Sequence, residues 1–247
     1  MLNYIILGII QGLTEFLPVS SSGHLVIFGK LLEVGANQVA LAVVLHLGTV
    51  LSALVFFRKE LRVFLKSRQL FLSGALVVLI TGLIGILGKD FFEKLFVQSR
   101  AVAIGWVFCG VILICTRNFN RGEKKNLNFK DAVILGLTQA LAIIPGVSRS
   151  GITIATLLFR QVDKSFAFTF SFLVSLPLIL GAALLEAKDI RLLAQADIYK
   201  LSAGFIFSFI AGLYALYLLK RVLENSKFYY FGYYCIFMAV ITFIFIK

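Results

Sequence analysis

The sequence predicts an all-α polytopic membrane protein, with about six transmembrane helices and two re-entrant helical hairpins in an inverted-topology repeat. Three observations carry this. The chain is 60% hydrophobic, against roughly 45–50% for a soluble domain, and its mean hydropathy is +0.97. Apolar runs long enough to cross a bilayer recur along its length. Two short segments, far apart in the chain, interrupt those runs with threonine, proline, serine and glycine in nearly the same order.

The chain opens on an apolar run, Leu2 to Ile10, with no basic stretch before it and Glu15 soon after. It is therefore expected to be retained rather than cleaved as a signal peptide. Residues 2–33 form an apolar half, a break at Pro18, the cluster Ser20-Ser21-Ser22-Gly23 and a second short half. Neither half has the roughly 20 residues that cross about 30 Å of hydrocarbon. Proline removes a backbone donor and breaks the helix, and irregular backbone at membrane depth is tolerated only where it lines protein or water. The segment reads as a re-entrant hairpin. The runs Val39–Phe57, Leu70–Leu87 and Ala101–Cys115 follow as spans, the last extending into its flanks. Residues 131–160 repeat the hairpin form, with Pro145 and Ser148-Arg149-Ser150-Gly151 at the break. The runs Phe166–Leu185, Leu201–Leu219 and Tyr229–Ile246 complete six spans. The whole chain, 1–247, reads as one membrane domain with halves of about 1–115 and 116–247.

The net charge of +12 would suggest nucleic acid in a soluble chain, but its placement excludes that reading. The segments Arg58–Arg68 and Arg117–Asp131 and the residues Lys220, Arg221 and Lys227 are strongly basic, whereas the intervening loops are balanced. Alternation of this kind orients a membrane protein with its basic loops inside. Following the spans from there, residues 2–33 must start and finish outside and residues 131–160 inside, so the hairpins would meet tip to tip near the midplane. Paired broken helices in corresponding halves mark the binding site of such folds. The aromatic residues, including Phe228-Tyr229-Tyr230, read as lipid-facing bulk and interfacial belt. Cys109, Cys115 and Cys235 lie in apolar runs, with no spacing that suggests a disulfide framework or zinc site.

The near-repeat holds the chemistry. Its first copy runs Gln11-Gly12-Leu13-Thr14-Glu15 through Pro18 to Val19-Ser20-Ser21-Ser22-Gly23-His24. Its second runs Gly136-Leu137-Thr138-Gln139 through Pro145 to Val147-Ser148-Arg149-Ser150-Gly151, with three more residues between its first two blocks. An ionisable residue inside a membrane segment is a functional candidate. Glu15 lies one turn after Gln11, so their oxygens could hold a hard divalent cation or bind a substrate hydroxyl. Ser21 and His24 stand one turn apart if Gly23 opens a helix, a spacing that lets an imidazole activate a hydroxyl. Arg149 suits a phosphate bidentately, or pairs internally with Glu15. Ser20, Ser22, Ser148 and Ser150 precede short helices, where free N–H groups favour an anion. His46 reads equally as polar packing or as support for the site.

These motifs closely resemble the two signature motifs of the bacterial undecaprenyl-diphosphate phosphatases, the bacitracin-resistance protein family, and the likeness extends along the chain. The resemblance implies a multi-pass enzyme of the bacterial inner membrane, set among membrane lipid, that hydrolyses undecaprenyl diphosphate to the monophosphate for cell-wall synthesis. It implies a site opening to the outer, periplasmic face and dependence on a divalent cation, Mg²⁺ with Ca²⁺ as the alternative. It carries catalytic roles onto Glu15, Ser21, His24 and Arg149, and metal ligation onto Glu15 and Gln11. Gln11 stands where some members have glutamate, which leaves one carboxylate. Ser21, His24 and water remain alternatives for the nucleophile, and a homodimer remains open. The rival class is a transporter or flippase of a prenyl-phosphate lipid built on the same repeat. Cysteines introduced at positions 36 and 124 are expected to react with impermeant reagents from opposite sides of the membrane; labelling of both from one side would contradict the inverted arrangement.

Overall fold

The computed structural model describes residues 1–32, 38–96, 98–119, 122–186 and 198–245. Position 36, and Lys188, Asp189, Arg191 and Asp197 of the sequence's balanced segment, lie outside them. The described residues form α1 (Leu2–Phe16), α2 (Ser21–Leu31), α3 (Gln38–Phe56), α4 (Arg58–Lys66), α5 (Arg68–Leu87), α6 (Lys89–Phe96), α7 (Ser99–Cys115), α8 (Phe129–Leu141), α9 (Arg149–Phe159), α10 (Lys164–Glu186), α11 (Ile198–Glu224) and α12 (Tyr230–Phe245).

Every expected span is a helix: α3, α5, α7, α10, α11 and α12. Four of them, α5, α7 with its short 3-10 extension, α10 and α11, are long and apolar enough to cross a membrane alone. The apolar helix α12 is shorter, with 16 residues, and α3, with the 19 residues expected, runs into α4 through a 76° bend. The basic segment after α3 and the balanced segment after α5, both expected as loops, are the amphipathic helices α4 and α6. Phe64 on α4 lies against Gly74 of α5, while Val63 and Leu65 are exposed. Charge marked this segment for topology, but its apolar residues recur at helical spacing.

The two expected hairpins are helix–break–helix units, α1/α2 and α8/α9, and the ends of each are tied together. In the first, the Asn3 amide donates to the Leu32 carbonyl (3.0 Å). In the second, Asp131 near the start of α8 accepts from Arg160 Nε just after α9 (2.9 Å) and from Lys124. Asn128 and Asp131 close a capping box at the same point, and the Asp163 N–H donates to the Lys124 carbonyl (2.9 Å). The two ends of each unit therefore lie side by side, as the hairpin reading expects.

The hairpins exchange partners between the halves of the chain. The first packs α1 on α11 and the second packs α8 on α5. Likewise α11 packs on α3, α10 on α5, and α7 on α12. The pattern maps onto itself when the halves are interchanged. Small residues allow the close crossings: a Cβ at Gly12 would sit 2.5 Å from the Ser208 carbonyl oxygen of α11. Part of the core is aromatic, which corrects the reading of phenylalanine as lipid-facing bulk. Phe16, Phe57, Phe168 and Phe172 form one buried cluster with ring centroids 5.1–5.6 Å apart in successive pairs, whereas Phe71, Phe91, Phe237 and Phe243 are exposed.

The Asp131 cluster gives the fold a titratable clasp outside the spanning helices. Burial alone would raise its carboxyl pKa, but Lys124, the Asn128 N–H and Arg160 outweigh burial and hold it below the ordinary value of 3.8. A depressed carboxylate contributes stability that is present above the unfolded pKa and lost as pH falls through the folded one. Asp131→Asn should lower stability by about 1–3 kcal/mol, less than for a fully buried pair because Lys124 and Arg160 keep solvent contact. Thermal unfolding in detergent should show the wild type losing stability below about pH 4, with a shallower acid decline in the variant; parallel declines would contradict the clasp.

Candidate active site

Each break is built from local chemistry. Leu17, which precedes Pro18, is extended, as the residue before a proline must be. Ser20 then adopts a positive φ of 66° and its hydroxyl caps α2 by accepting from the Gly23 N–H (3.3 Å). The second break is longer, 142–148 against 17–20, which absorbs the three-residue difference between the motifs. There Gly146 takes φ 89°, and Ser148 caps α9 by accepting from the Gly151 N–H (3.2 Å). Both helices therefore begin on a serine-rich turn with their free N–H groups towards the meeting point.

Helix α7 touches both breaks through adjacent residues. A Cβ on Gly105 would strike the Pro145 carbonyl oxygen, and Gly146 lies on the Val102 carbonyl. Trp106, fully buried, donates from Nε1 to the Val19 carbonyl (2.8 Å) and lies on Gly23. A contact from α12 adds to the first: Cys235 donates to the Pro18 carbonyl (3.4 Å).

Between the breaks lies a cavity of about 270 Å³. Its polar lining is Thr14, Glu15, Ser20, Ser21, Ser22, His46, Ser148 and Arg149, and Ile143, Leu178, Ile179 and Ala182 give an apolar wall. Glu15, with 4% of its side chain exposed, is paired with Arg149, 18% exposed, through Oε1 and Nη2. Arg149 Nη1 donates to the Ser175 carbonyl of α10 (3.4 Å). The other carboxylate oxygen, Oε2, accepts from Ser21 Oγ (2.7 Å) and Gln11 Nε2 (3.1 Å). The Ser20 and Ser22 hydroxyls lie 3.2 Å apart, as do those of Ser148 and Ser150.

The structure thus brings together Glu15, Ser20, Ser21, Ser22, Ser148 and Arg149 as the sequence suggested. Gln11 and Ser150 are buried just behind the cavity wall. His24 is placed differently from the expectation that it stands beside Ser21. Its Nδ1 bonds the Ser20 carbonyl (2.8 Å) and its Nε2 lies 2.7 Å from the Tyr234 hydroxyl. A carbonyl only accepts, so Nδ1 carries the hydrogen and Nε2 accepts from tyrosine. The ring is wedged against Trp106 and Tyr234, outside the cavity. The histidine that lines the cavity is His46 of α3, with Nε2 3.8 Å from Glu15 Oε2. An ionisable residue midway along an apolar run was the signal that could have promoted it, the same rule that selected Glu15. A larger cavity of about 500 Å³, between α4 and the start of α10, sets Lys59 and Lys125 against Glu60 and Asp163 and so offers an anion no net charge.

Trp106 is the chain's one tryptophan and reports directly on the first break. Its emission should lie in the buried range and resist acrylamide quenching in the detergent-solubilised protein; ready quenching would contradict its place between α7 and the Val19 turn.

Comparison with known proteins completes the description. The family model described as bacitracin resistance protein BacA matches residues 4–241. A protein of Thermotoga petrophila named undecaprenyl-diphosphatase is 40% identical over 244 residues, covering 97% of this chain and 98% of its own. One of Halothermothrix orenii with the same name is 42% identical, covering 94% of this chain and 92% of its own. One of Methanococcus maripaludis, again so named, is 36% identical, covering 97% of this chain and 99% of its own.

Proposed function

We propose, from the fact that the chain belongs to the bacitracin resistance protein BacA family, that the cavity between the two helix breaks is the active site of an undecaprenyl-diphosphatase. The chain is a multi-pass membrane hydrolase that removes the terminal phosphate of undecaprenyl diphosphate. The reaction returns the monophosphate carrier to cell-wall synthesis and underlies bacitracin resistance. One observation supports this location above all: a carboxylate, a serine hydroxyl and a guanidinium from two separate hairpins converge where two helices begin.

The terminal phosphate is the group this site is shaped to receive. Arg149 leaves Glu15 and grips two phosphate oxygens, an exchange of one anion for another. The starts of α2 and α9 add N–H groups and the positive ends of their dipoles. Ser21 Oγ already donates to Glu15, so the carboxylate, whose Oε1 is freed when Arg149 leaves, is placed to accept its proton as Oγ attacks the terminal phosphorus. The P–O bond to the lipid phosphate then breaks, undecaprenyl phosphate departs, and water releases phosphate from the serine. His24, with both ring nitrogens engaged, holds the first break in shape. The apolar wall of Ile143, Leu178 and Ile179 would receive the first part of the prenyl chain. Membership of the family supports an inner-membrane location with the cavity opening outward, and the basic loops support a cytoplasmic place for the segments after α3 and α7.

A phosphatase of this kind is compatible with a divalent cation, and the residues fit one in a specific way. Among the described residues no group of three His, Cys, Asp or Glu side chains converges. Mg²⁺ needs only one or two protein carboxylates when substrate phosphate supplies the rest. Gln11 Oε1 is buried without a hydrogen-bond partner beside Glu15; turned over, the amide would present that oxygen next to Oε2. Glu15 and Gln11 would hold the cation, which would supply positive charge to the phosphate oxygens.

Purified protein given undecaprenyl diphosphate and Mg²⁺ in detergent should release phosphate. Arg149→Ala should lower kcat by about 10²–10³-fold, the scale of losing one preorganised charge-stabilising donor, and Ser21→Ala should abolish formation of a phosphoserine. Near-wild-type release by Arg149→Ala would contradict the site, and lipid transport without phosphate release would contradict the hydrolase.

A further inference from the structure

The two oxygens of Glu15 are not equivalent. Oε1 is taken by Arg149, whereas Oε2 faces Ser21, Gln11 and His46. His46 Nδ1 lies 2.7 Å from the carbonyl of Ala42, one turn earlier on α3. Since a carbonyl only accepts, Nδ1 carries a hydrogen, and Nε2 is the nitrogen that faces the cavity and Glu15 Oε2, where it can offer a lone pair. The 3.8 Å between those atoms is too long for a hydrogen bond. It is, however, within reach of two atoms that share one ion. Ligands about 2.1 Å from a cation can stand up to about 4.2 Å apart. Gln11 Oε1, buried and without a partner, becomes a third electron-pair donor beside the same carboxylate once the amide, which now donates from Nε2 to Oε2, is turned over. Histidines that bind metal characteristically donate their other ring N–H to a backbone carbonyl or carboxylate, and His46 does so. His24 cannot serve, because Ser20 and Tyr234 occupy both its nitrogens.

We propose that His46 Nε2 is a direct ligand of the divalent cation and, with Glu15 and Gln11, makes a site of one nitrogen and two oxygens. This rests on the reading of the cavity as a cation-assisted phosphatase site and adds a ligand to it. His46 adds a donor to a site in which the glutamine at position 11 leaves a single carboxylate. Arg149 stands on the far oxygen of Glu15, so its positive charge opposes the cation until phosphate draws it away. The binding site is therefore tighter when phosphate is present. The nitrogen also shifts ion choice away from Ca²⁺, which takes oxygen ligands, towards transition ions that accept an imidazole.

The test uses full-length protein in detergent, freed of any histidine tag, with Mn²⁺ and inorganic phosphate. Pulsed electron paramagnetic resonance of the bound Mn²⁺ should show modulation from an imidazole nitrogen. His46→Gln should abolish that modulation and weaken Mn²⁺ binding at least 10-fold, while His24→Gln should keep the modulation. Circular dichroism and thermal unfolding establish that each variant is folded, and His46→Asn serves if His46→Gln is not. Wild-type Mn²⁺ that binds without nitrogen modulation overturns the proposal, as does modulation that survives in the folded His46 variant, modulation lost only with His24, or failure of Mn²⁺ to bind. Phosphate release by the wild type is measured separately, so failure of the phosphatase reading is seen independently of the nitrogen signal.

Discussion

The ion pair between Glu15 and Arg149 is the constraint on which the site depends. Each residue lies on a different hairpin, in helices too short to cross a membrane, and each would be costly at that depth alone. Together they neutralise each other, with Glu15 almost wholly buried. A buried pair of this kind adds little net stability relative to apolar packing, but breaking it strands a charge. Its role is therefore specificity: it fixes which part of one hairpin faces which part of the other.

The surrounding backbone serves that meeting. Positive φ at Ser20 and Gly146 turns each chain sharply enough to start a new helix at the break. Gly105 and Trp106, neighbours on α7, each hold one of the two turns. The ties Asn3–Leu32 and Asp131–Arg160 close each hairpin at its base. Function then follows from what the two halves do not share. The first supplies acceptor chemistry, Glu15 and Ser21, and the second the guanidinium. A phosphate that takes Arg149 from Glu15 at once frees the carboxylate to receive a proton or hold a cation, so binding prepares the chemistry.

Much of this was legible from residues alone, and the exceptions have physical causes. Long apolar runs give helices because lipid leaves backbone polar groups no other partner, so all six expected spans are helical. Proline with a serine-glycine cluster located both breaks within a few residues. The helices α4 and α6 were missed because their charges dominated the reading of segments that also carry an apolar face. A membrane helix is apolar on both sides, so hydropathy cannot tell core from lipid and the buried phenylalanines carry no sequence signal of their burial. His24 illustrates a further limit. Its spacing from Ser21 is right for contact, but the side chain turns towards Tyr234, which is distant in the chain and carries no local signal. His46 lay in plain view, yet only the fold brings it within 3.8 Å of Glu15.

A double-mutant cycle on Glu15 and Arg149 tests the central claim most directly. Glu15→Gln, Arg149→Gln and the double variant would be compared with the wild type by reversible unfolding in detergent. The account predicts that each single change costs about 3–5 kcal/mol by stranding its partner, and that the double change costs clearly less than the sum. Additive losses would mean that the two residues do not meet, and the site assembled around them would fall.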